Sequence, residues 1–384
     1  MNPAGRAAPP AQIKQGGAAP RVRDRRASLA VALEQGMFGL LPILVFAWLA
    51  VFVLAGPSNK IAVDFHDAYY VAGYRVLHGG DPYAWTPAAI RNGVAFVYPA
   101  LSALLFAPFA LISSSAAGVL FTLVCMALAP LTLWVLGIRD WRIYGITLIW
   151  QPVFSAWQAA NESILLVCFV ALVWRYRDKT LVAGLLTAVA ISLKPFVWPL
   201  ALWLLITRRW RASGYGLLAG VLVNLISWSV VGFSNISVYL RDSGTDARDS
   251  WRIGYSAIAA AGHLGATRTF GEVLLIVISL ALALGAAYVG FIKRRERQAL
   301  IFVVALMLTA SPLVWTHYFV VLLIPLALAR PRMHWLWALP ILMWVCPPSL
   351  HVRGWQELIA WLVAGAIFVS ASRAVAATDT AHLA

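Results

Sequence analysis

The sequence predicts an all-α polytopic membrane protein with about twelve transmembrane helices and external juxtamembrane helices, and three observations carry that expectation. Hydrophobic residues make up 61% of the 384-residue chain and charged residues only 12%, too little polar surface for a water-soluble domain of this size. Apolar runs approaching the length of a bilayer span recur along almost the whole chain. The cations fall in short clusters between those runs, at 21–26, 175–179, 208–211, 293–297 and 330–332. Membrane insertion produces that distribution by retaining positive loops inside. The clustering accounts for most of the net charge of +15, so the expected partner is a lipid bilayer and no nucleic acid.

Residues 1–36, rich in Ala, Pro, Gly and Arg, read as a disordered basic cytoplasmic tail. The integral membrane domain is expected over 37–373, with a second cytoplasmic tail at 374–384. The first span, 38–54, runs from inside to outside. Val53-Leu54-Ala55 resembles a signal-peptidase site, but the long basic leader and the many later spans make this an uncleaved helix. It delivers an external loop, 56–98, that holds Asp64, His66, Asp67 and Asp81. Within that loop the spacing of Tyr70, Tyr74 and Leu77 predicts a helix over 67–77 lying along the membrane surface.

The next apolar run, 95–112, is interrupted by Pro99 and Pro108 and is expected as a short juxtamembrane or re-entrant helix. That choice keeps 175–179 and 208–211 on the cytoplasmic side. Spans then follow at 116–136, 141–157, 163–174, 181–193, 196–207 and 214–233. After a second external loop, 234–271, they resume at 272–292, 299–313, 318–329, 335–345 and 358–369, with both termini inside. This threading collects Asp64, Asp67, Asp81, Glu162, Asp242, Asp246, Asp249, Glu272 and Glu357 on or near the outer side. Trp157, Trp174, Trp210 and Trp335, at span edges, are expected in the interfacial aromatic belt. Cys125, Cys168 and Cys346 lie in or at apolar runs without a CxxC spacing and read as small hydrophobes.

Four places break the apolar pattern with groups that can do chemistry. Asp64 and Asp67, three apart, share a face if the stretch is helical. Three readings fit: a general base acting on an acceptor hydroxyl, a capping acid beside a solvated one, or a metal pair. Lys194-Pro195 stands between two short spans that begin and end inside, where a lone lysine needs an anionic partner such as a lipid phosphate, or must snorkel. The stretch 311–318 interrupts a span with Pro312 and presents His317, as a phosphate hydrogen-bond donor or as a satisfied histidine at a kink. Gln158, Asn161 and Glu162 form another polar break, suited to sugar hydroxyls or to capping the helix near Ser163. Nucleotide-binding and hydrolase signatures are absent, and no metal or cofactor is expected.

Taken in order, Asp64-Phe65, Tyr69-Tyr70, Gly79-Gly80-Asp81-Pro82-Tyr83, Tyr98-Pro99, Asn161, Leu193-Lys194-Pro195 and the Ser311-Pro312, Trp315, His317 run resemble glycosyltransferase family 87. The resemblance covers roughly Asp64 to Pro325 and implies a GT-C-like fold. It also implies transfer of a sugar, mannose or arabinofuranose, from a polyprenyl-phosphate donor to an envelope glycolipid or glycan hydroxyl. Transfer would occur at the external face of the inner (plasma) membrane, with inversion. By position, Asp64 or Asp67 matches the family's catalytic aspartate, His317 its donor-phosphate histidine and Lys194 its lysine after a short helix. Arg252 is a further candidate for the phosphate, and His66, Tyr70, Tyr98, Asn161 and Trp315 for the sugars. The chain departs from the family pattern in the extra acid Asp67, in Ala100 where a second proline is usual, and in the turn 157–161. A lipid-linked sugar flippase or other transporter is the alternative, but charge should then line both leaflets rather than gather at one side.

Overall fold

In a computed structural model the described residues are 29–55, 61–346 and 352–381, and no strand occurs among them. The chain is helical from Leu29, inside the expected leading tail, whose remainder lies outside the described residues. The first helix, α1 (Leu29–Phe52), is apolar and almost wholly exposed. After a left-handed turn at Ala62 comes α2, a π-helical turn Phe65–Tyr69 running into Tyr70–Leu77. This helix therefore starts before the expected residue 67. A short α3 (Pro87–Arg91), capped by the Thr86 hydroxyl, and α4 (Ala100–Leu111) follow. At about 1.5 Å per residue α4 reaches only about 18 Å, short of a bilayer core of about 30 Å.

Next are α5 (Ser114–Val135), α6 (Trp141–Leu148), α7 (Gln151–Ala159) and α8 (Ser163–Arg175). The run expected as one span over 141–157 is thus two helices, because Pro152 removes a backbone donor at the start of α7. Between α7 and α8 the axis turns by 118°. Then come α9 (Thr180–Leu193), α10 (Pro195–Ile206), α11 (Trp210–Val231), α12 (Asn235–Asp249), α13 (Ala257–His263) and α14 (Arg268–Ile292). The chain closes with α15 (Glu296–Thr309), α16 (Thr316–Ala329), α17 (Trp335–Val345) and α18 (Gly354–Ala381). The last helix runs well past 373, so most of the expected trailing tail is helical.

Among the described residues five helices are long and apolar enough to cross a membrane: α1, α5, α11, α14 and α18. The bent pair α7–α8 makes a sixth if counted as one span. The protein is a multi-pass membrane protein built in two layers. The long helices expose rows of large apolar side chains, such as Leu217, Val221, Leu225 in α11 and Val273, Ile276, Leu280 in α14. The short and broken helices α8, α15 and α16 are buried at the centre. That arrangement follows from backbone chemistry: a break frees N–H and C=O groups, which lipid cannot satisfy but a packed interior can.

Two contacts set the register around the centre. Helices α9 and α11 run parallel, with Gly184, Ala188 and Ser192 meeting Gly216, Gly220 and Asn224 in turn. A Cβ at Gly184 would come within 2.6 Å of the Ala212 carbonyl oxygen, and Asn224 Nδ2 donates to Ser192 Oγ at 2.8 Å. Small residues let the backbones approach where lipid supplies no hydrophobic drive. At the basic ends of these helices Arg209 donates to Glu296 Oε1 (2.8 Å), Asp178 Oδ1 (3.0 Å) and the Arg177 carbonyl (3.0 Å). The clusters 175–179, 208–211 and 293–297 therefore lie together, as their charge leads one to expect. Trp157 departs from expectation: it is buried against Phe46 and Phe154 rather than placed in a belt. Trp210 and Trp335 are exposed.

Candidate active site

The site is built on the break between α7 and α8. Ala160 takes a left-handed conformation (φ 47°, ψ 54°), which costs a non-glycine residue about 1 kcal/mol. In return the Asn161 N–H reaches the Ala156 carbonyl (3.1 Å) and the Asn161 side chain turns to the head of α8. There its Oδ1 accepts from Ser163 N (2.9 Å) and Ser163 Oγ (2.6 Å). With the oxygen end committed, Nδ2 faces the other way and donates to Asp64 Oδ2 at 2.6 Å. The same break also anchors the entry to α2, since the Ala62 N–H donates to the Gln158 carbonyl at 2.7 Å.

A cavity of about 320 Å³ opens beside this contact, at the lower end of the usual range for small-molecule sites. Asp64, Asp67, Tyr98, Asn161, Trp315 and His317 all line it. The structure thus brings together six of the ten residues singled out from sequence. Asp64 is half-buried, its neighbour Asp67 exposed at the mouth. Burial raises the Asp64 carboxyl above the ordinary range, against the Asn161 hydrogen bond and the Lys194 charge, which pull it down; the Asp67 charge adds to the rise. A carboxyl in that state holds a proton more readily than a solvated one, as a general base near neutral pH requires.

His317 heads the 3₁₀ turn that starts α16. It is buried, and among the described residues its Nε2 has no hydrogen-bond partner. The loop before it is clamped from behind. Tyr255 N–H donates to the Val314 carbonyl (2.7 Å), Gly254 (φ 82°) passes so close to that oxygen that a Cβ would lie 2.5 Å from it, and Trp361 Nε1 holds the Tyr255 carbonyl (3.0 Å). Tyr98 is held in its turn by Tyr83, whose hydroxyl donates to the Tyr98 carbonyl (2.8 Å). The Gly-Gly-Asp-Pro-Tyr turn is therefore a brace for the cavity wall.

Four expected residues stand elsewhere. Lys194, at the tip of the α9–α10 hairpin, lies behind the cavity: its Nζ sits 4.8 Å over the Tyr98 ring and 4.5 Å over the Tyr318 ring, and 3.9 Å from Glu162 Oε1. Arg252 is exposed and stacked on Trp251 at 4.8 Å. His66 Nδ1 is 2.8 Å from Ser114 Oγ, with its ring against Gly118 of α5. The Tyr70 hydroxyl donates to the Ile112 carbonyl (2.9 Å). These last two seat α2 on α4 and α5 rather than reaching the cavity.

The cavity also contains groups that were not singled out: Asn92, Thr316 and Asp246. Asp246 had a usable signal, since Asp242, Asp246 and Asp249 recur at helical spacing in an otherwise acid-poor chain. Gln158, read as part of the polar break, lines the cavity too. Among the described residues no three His, Cys, Asp or Glu side chains gather in a metal-binding group.

The sequence profile of glycosyltransferase family 87 matches residues 96–314, more than half of the chain. Two curated relatives carry the same name, polyprenol-phosphate-mannose-dependent alpha-(1-2)-phosphatidylinositol pentamannoside mannosyltransferase. The one from Mycolicibacterium smegmatis is 25% identical over 79% of this chain and 74% of its own length. The one from Mycobacterium tuberculosis is 26% identical over 84% of this chain and 76% of its own. No solved structure matches the chain significantly. The profile match spans the polar break at Asn161, the Lys194 hairpin and the clamped loop up to Val314, and with it the chain belongs to glycosyltransferase family 87, as a membrane glycosyltransferase.

Proposed function

We propose that this protein transfers mannose from a polyprenyl-phosphate-mannose donor to a hydroxyl of an inositol-lipid mannoside or a similar envelope glycolipid. The reading places the cavity at the external face of the plasma (inner) membrane, in a GT-C-type body over 37–373 with about twelve crossings and both termini inside. The observation that carries it is the pairing of a base and an anion-binding group in one cavity: Asp64, oriented by Asn161, and the unpartnered Nε2 of His317. The two relatives named for that donor and acceptor supply the substrate classes.

Asp64 takes the proton of the acceptor hydroxyl as its oxygen attacks the anomeric carbon. The bond from that carbon to the phosphate oxygen breaks, and the lipid phosphate leaves with the electron pair. His317, in the tautomer that protonates Nε2, donates a hydrogen bond to the departing phosphate, so charge builds where a donor is already aimed. Lys194 contributes from behind Tyr98 by favouring the negative forms of Asp64 and the phosphate. The resemblance to the family implies inversion, the outcome of a single displacement. Asp67, exposed at the mouth, plays the lesser part.

The test is transfer of radiolabelled mannose from polyprenol-phosphate-mannose to phosphatidylinositol mannosides, in membranes holding Asp64→Asn or Asp67→Asn at wild-type abundance. Asp64→Asn should lose at least about a hundredfold, the scale of one general base, and Asp67→Asn much less. Full activity in Asp64→Asn would overturn the assignment.

A further inference from the structure

Asp246 belongs to α12, outside every candidate span, yet it lines the same cavity as Asp64, Asp67 and His317. It is nine-tenths buried. Among the described residues its one hydrogen-bond partner is the Ser250 hydroxyl, at a long 3.3 Å, and no cation pairs with it. Asp242, one turn earlier on the same helix, is also buried but is held by Arg241 Nε at 2.8 Å. A buried carboxylate without a cation is costly, and burial pushes that of Asp246 up to about 6. Such a group fits a place where a ligand supplies the missing donors.

The charge around the cavity narrows the ligand's chemistry. Three residues with carboxyl side chains and one histidine line it, while Lys194 lies behind Tyr98 and Arg252, stacked on Trp251, is not among the lining residues. Three carboxylates repel a phosphate, so the group on the cavity wall suited to an anion is His317, whose Nε2 is unpartnered. Carboxylates accept strongly from hydroxyls, and Trp315 adds an apolar plate. The wall that carries Asp246 therefore suits an uncharged ring bearing several hydroxyls. Asn92, on the turn that ends α3, lines this cavity too, and α3 packs on α12.

We propose that Asp246, together with Asn92, forms the acceptor subsite: it accepts hydrogen bonds from the hydroxyls of a neutral sugar or cyclitol ring and so decides which hydroxyl is turned to Asp64. The assignment rests on the reading of this cavity as a sugar-transfer site.

Octyl α-D-mannopyranoside serves as the probe, titrated calorimetrically into the full-length protein in nanodiscs. Asp246→Asn keeps shape and an acceptor for Ser250 but removes the charge, and should weaken binding by about tenfold or more, the worth of a charge-assisted hydrogen bond. In transfer assays the same variant should raise the acceptor KM by a similar factor and leave the donor KM within about twofold. Equal probe affinity in Asp246→Asn and wild type, or donor and acceptor KM rising together, overturns the proposal. Should Asp246→Asn fold poorly, the exposed Asn92→Ala carries the test: a selective loss of probe affinity supports the subsite and unchanged affinity overturns it. If the probe binds through Asp246 but no mannose moves from polyprenol-phosphate-mannose, the subsite stands and the donor assignment fails.

Discussion

Replacing Asn161 with alanine removes two interactions at once. Nδ2 no longer donates to Asp64 Oδ2 at 2.6 Å, and Oδ1 no longer accepts from Ser163. A hydrogen bond to a charged group contributes about 1.5–3 kcal/mol, which corresponds to about one to two pKa units. Asp64 is half-buried on a cavity that water can enter, so water recovers part of the loss and about one unit is the expected shift. The direction is fixed. The Asn161 bond favours the carboxylate, so its loss raises a carboxyl that burial already holds above the ordinary range. A base acts only when deprotonated, so the acidic limb of kcat/KM against pH moves about one unit toward alkaline pH. Activity below the new limb falls about tenfold, and the alkaline plateau changes far less. Loss of the Ser163 cap separately costs about 1 kcal/mol of stability. Asn161→Asp separates the two effects, because it keeps an acceptor for Ser163 while placing a like charge against Asp64, and its limb should move further still. The assay is transfer rate in membranes from about pH 5 to about pH 9. A uniform fall in rate with an unmoved limb would refute the reasoning.

Lys194→Met leaves Glu162 buried without its cation and should destabilise the protein by about 3–5 kcal/mol; adding Glu162→Gln should restore most of the melting temperature. If the stabilised double variant still shows a donor KM raised more than about tenfold, Lys194 touches the phosphate itself rather than acting from behind Tyr98. His317→Ala should raise the donor KM more than the acceptor KM, and steady-state kinetics with each substrate varied in turn would expose the opposite. The native cysteines are buried, so single cysteines at the exposed positions Ala84 and Arg211 report threading cleanly: an impermeant thiol reagent applied outside should label position 84 and leave position 211 unmodified. The reverse pattern would invert the topology.

Much of the fold was legible because lipid imposes a strict code. Helices that face it must be apolar all round and long, which is why the long span at 116–136 and the basic clusters between spans are plain in the chain. The candidates that line the cavity were legible for the complementary reason: Asp64, Asp67, Asn161 and His317 are conspicuous in a chain with few polar groups. Position within the membrane was less so. The run 141–157 reads as one span, but Pro152 and the packed interior make it two helices, and hydropathy is blind to whether a short apolar segment is enclosed by protein or exposed to lipid.

Sequence by itself determined the class of protein, where its long apolar helices fall, and the small set of side chains able to move a proton or hold an anion. Tertiary structure alone decided which of them meet. The left-handed turn at Ala160 swings Asn161 onto Asp64, the hairpin tip holds Lys194 behind two tyrosine rings, and α12 carries Asp246 into a cavity lined mainly by distant residues. The reason is physical: membrane insertion is governed by local composition, whereas a site is assembled by contacts between segments far apart in the chain, and those depend on packing and on where each freed backbone group finds its partner.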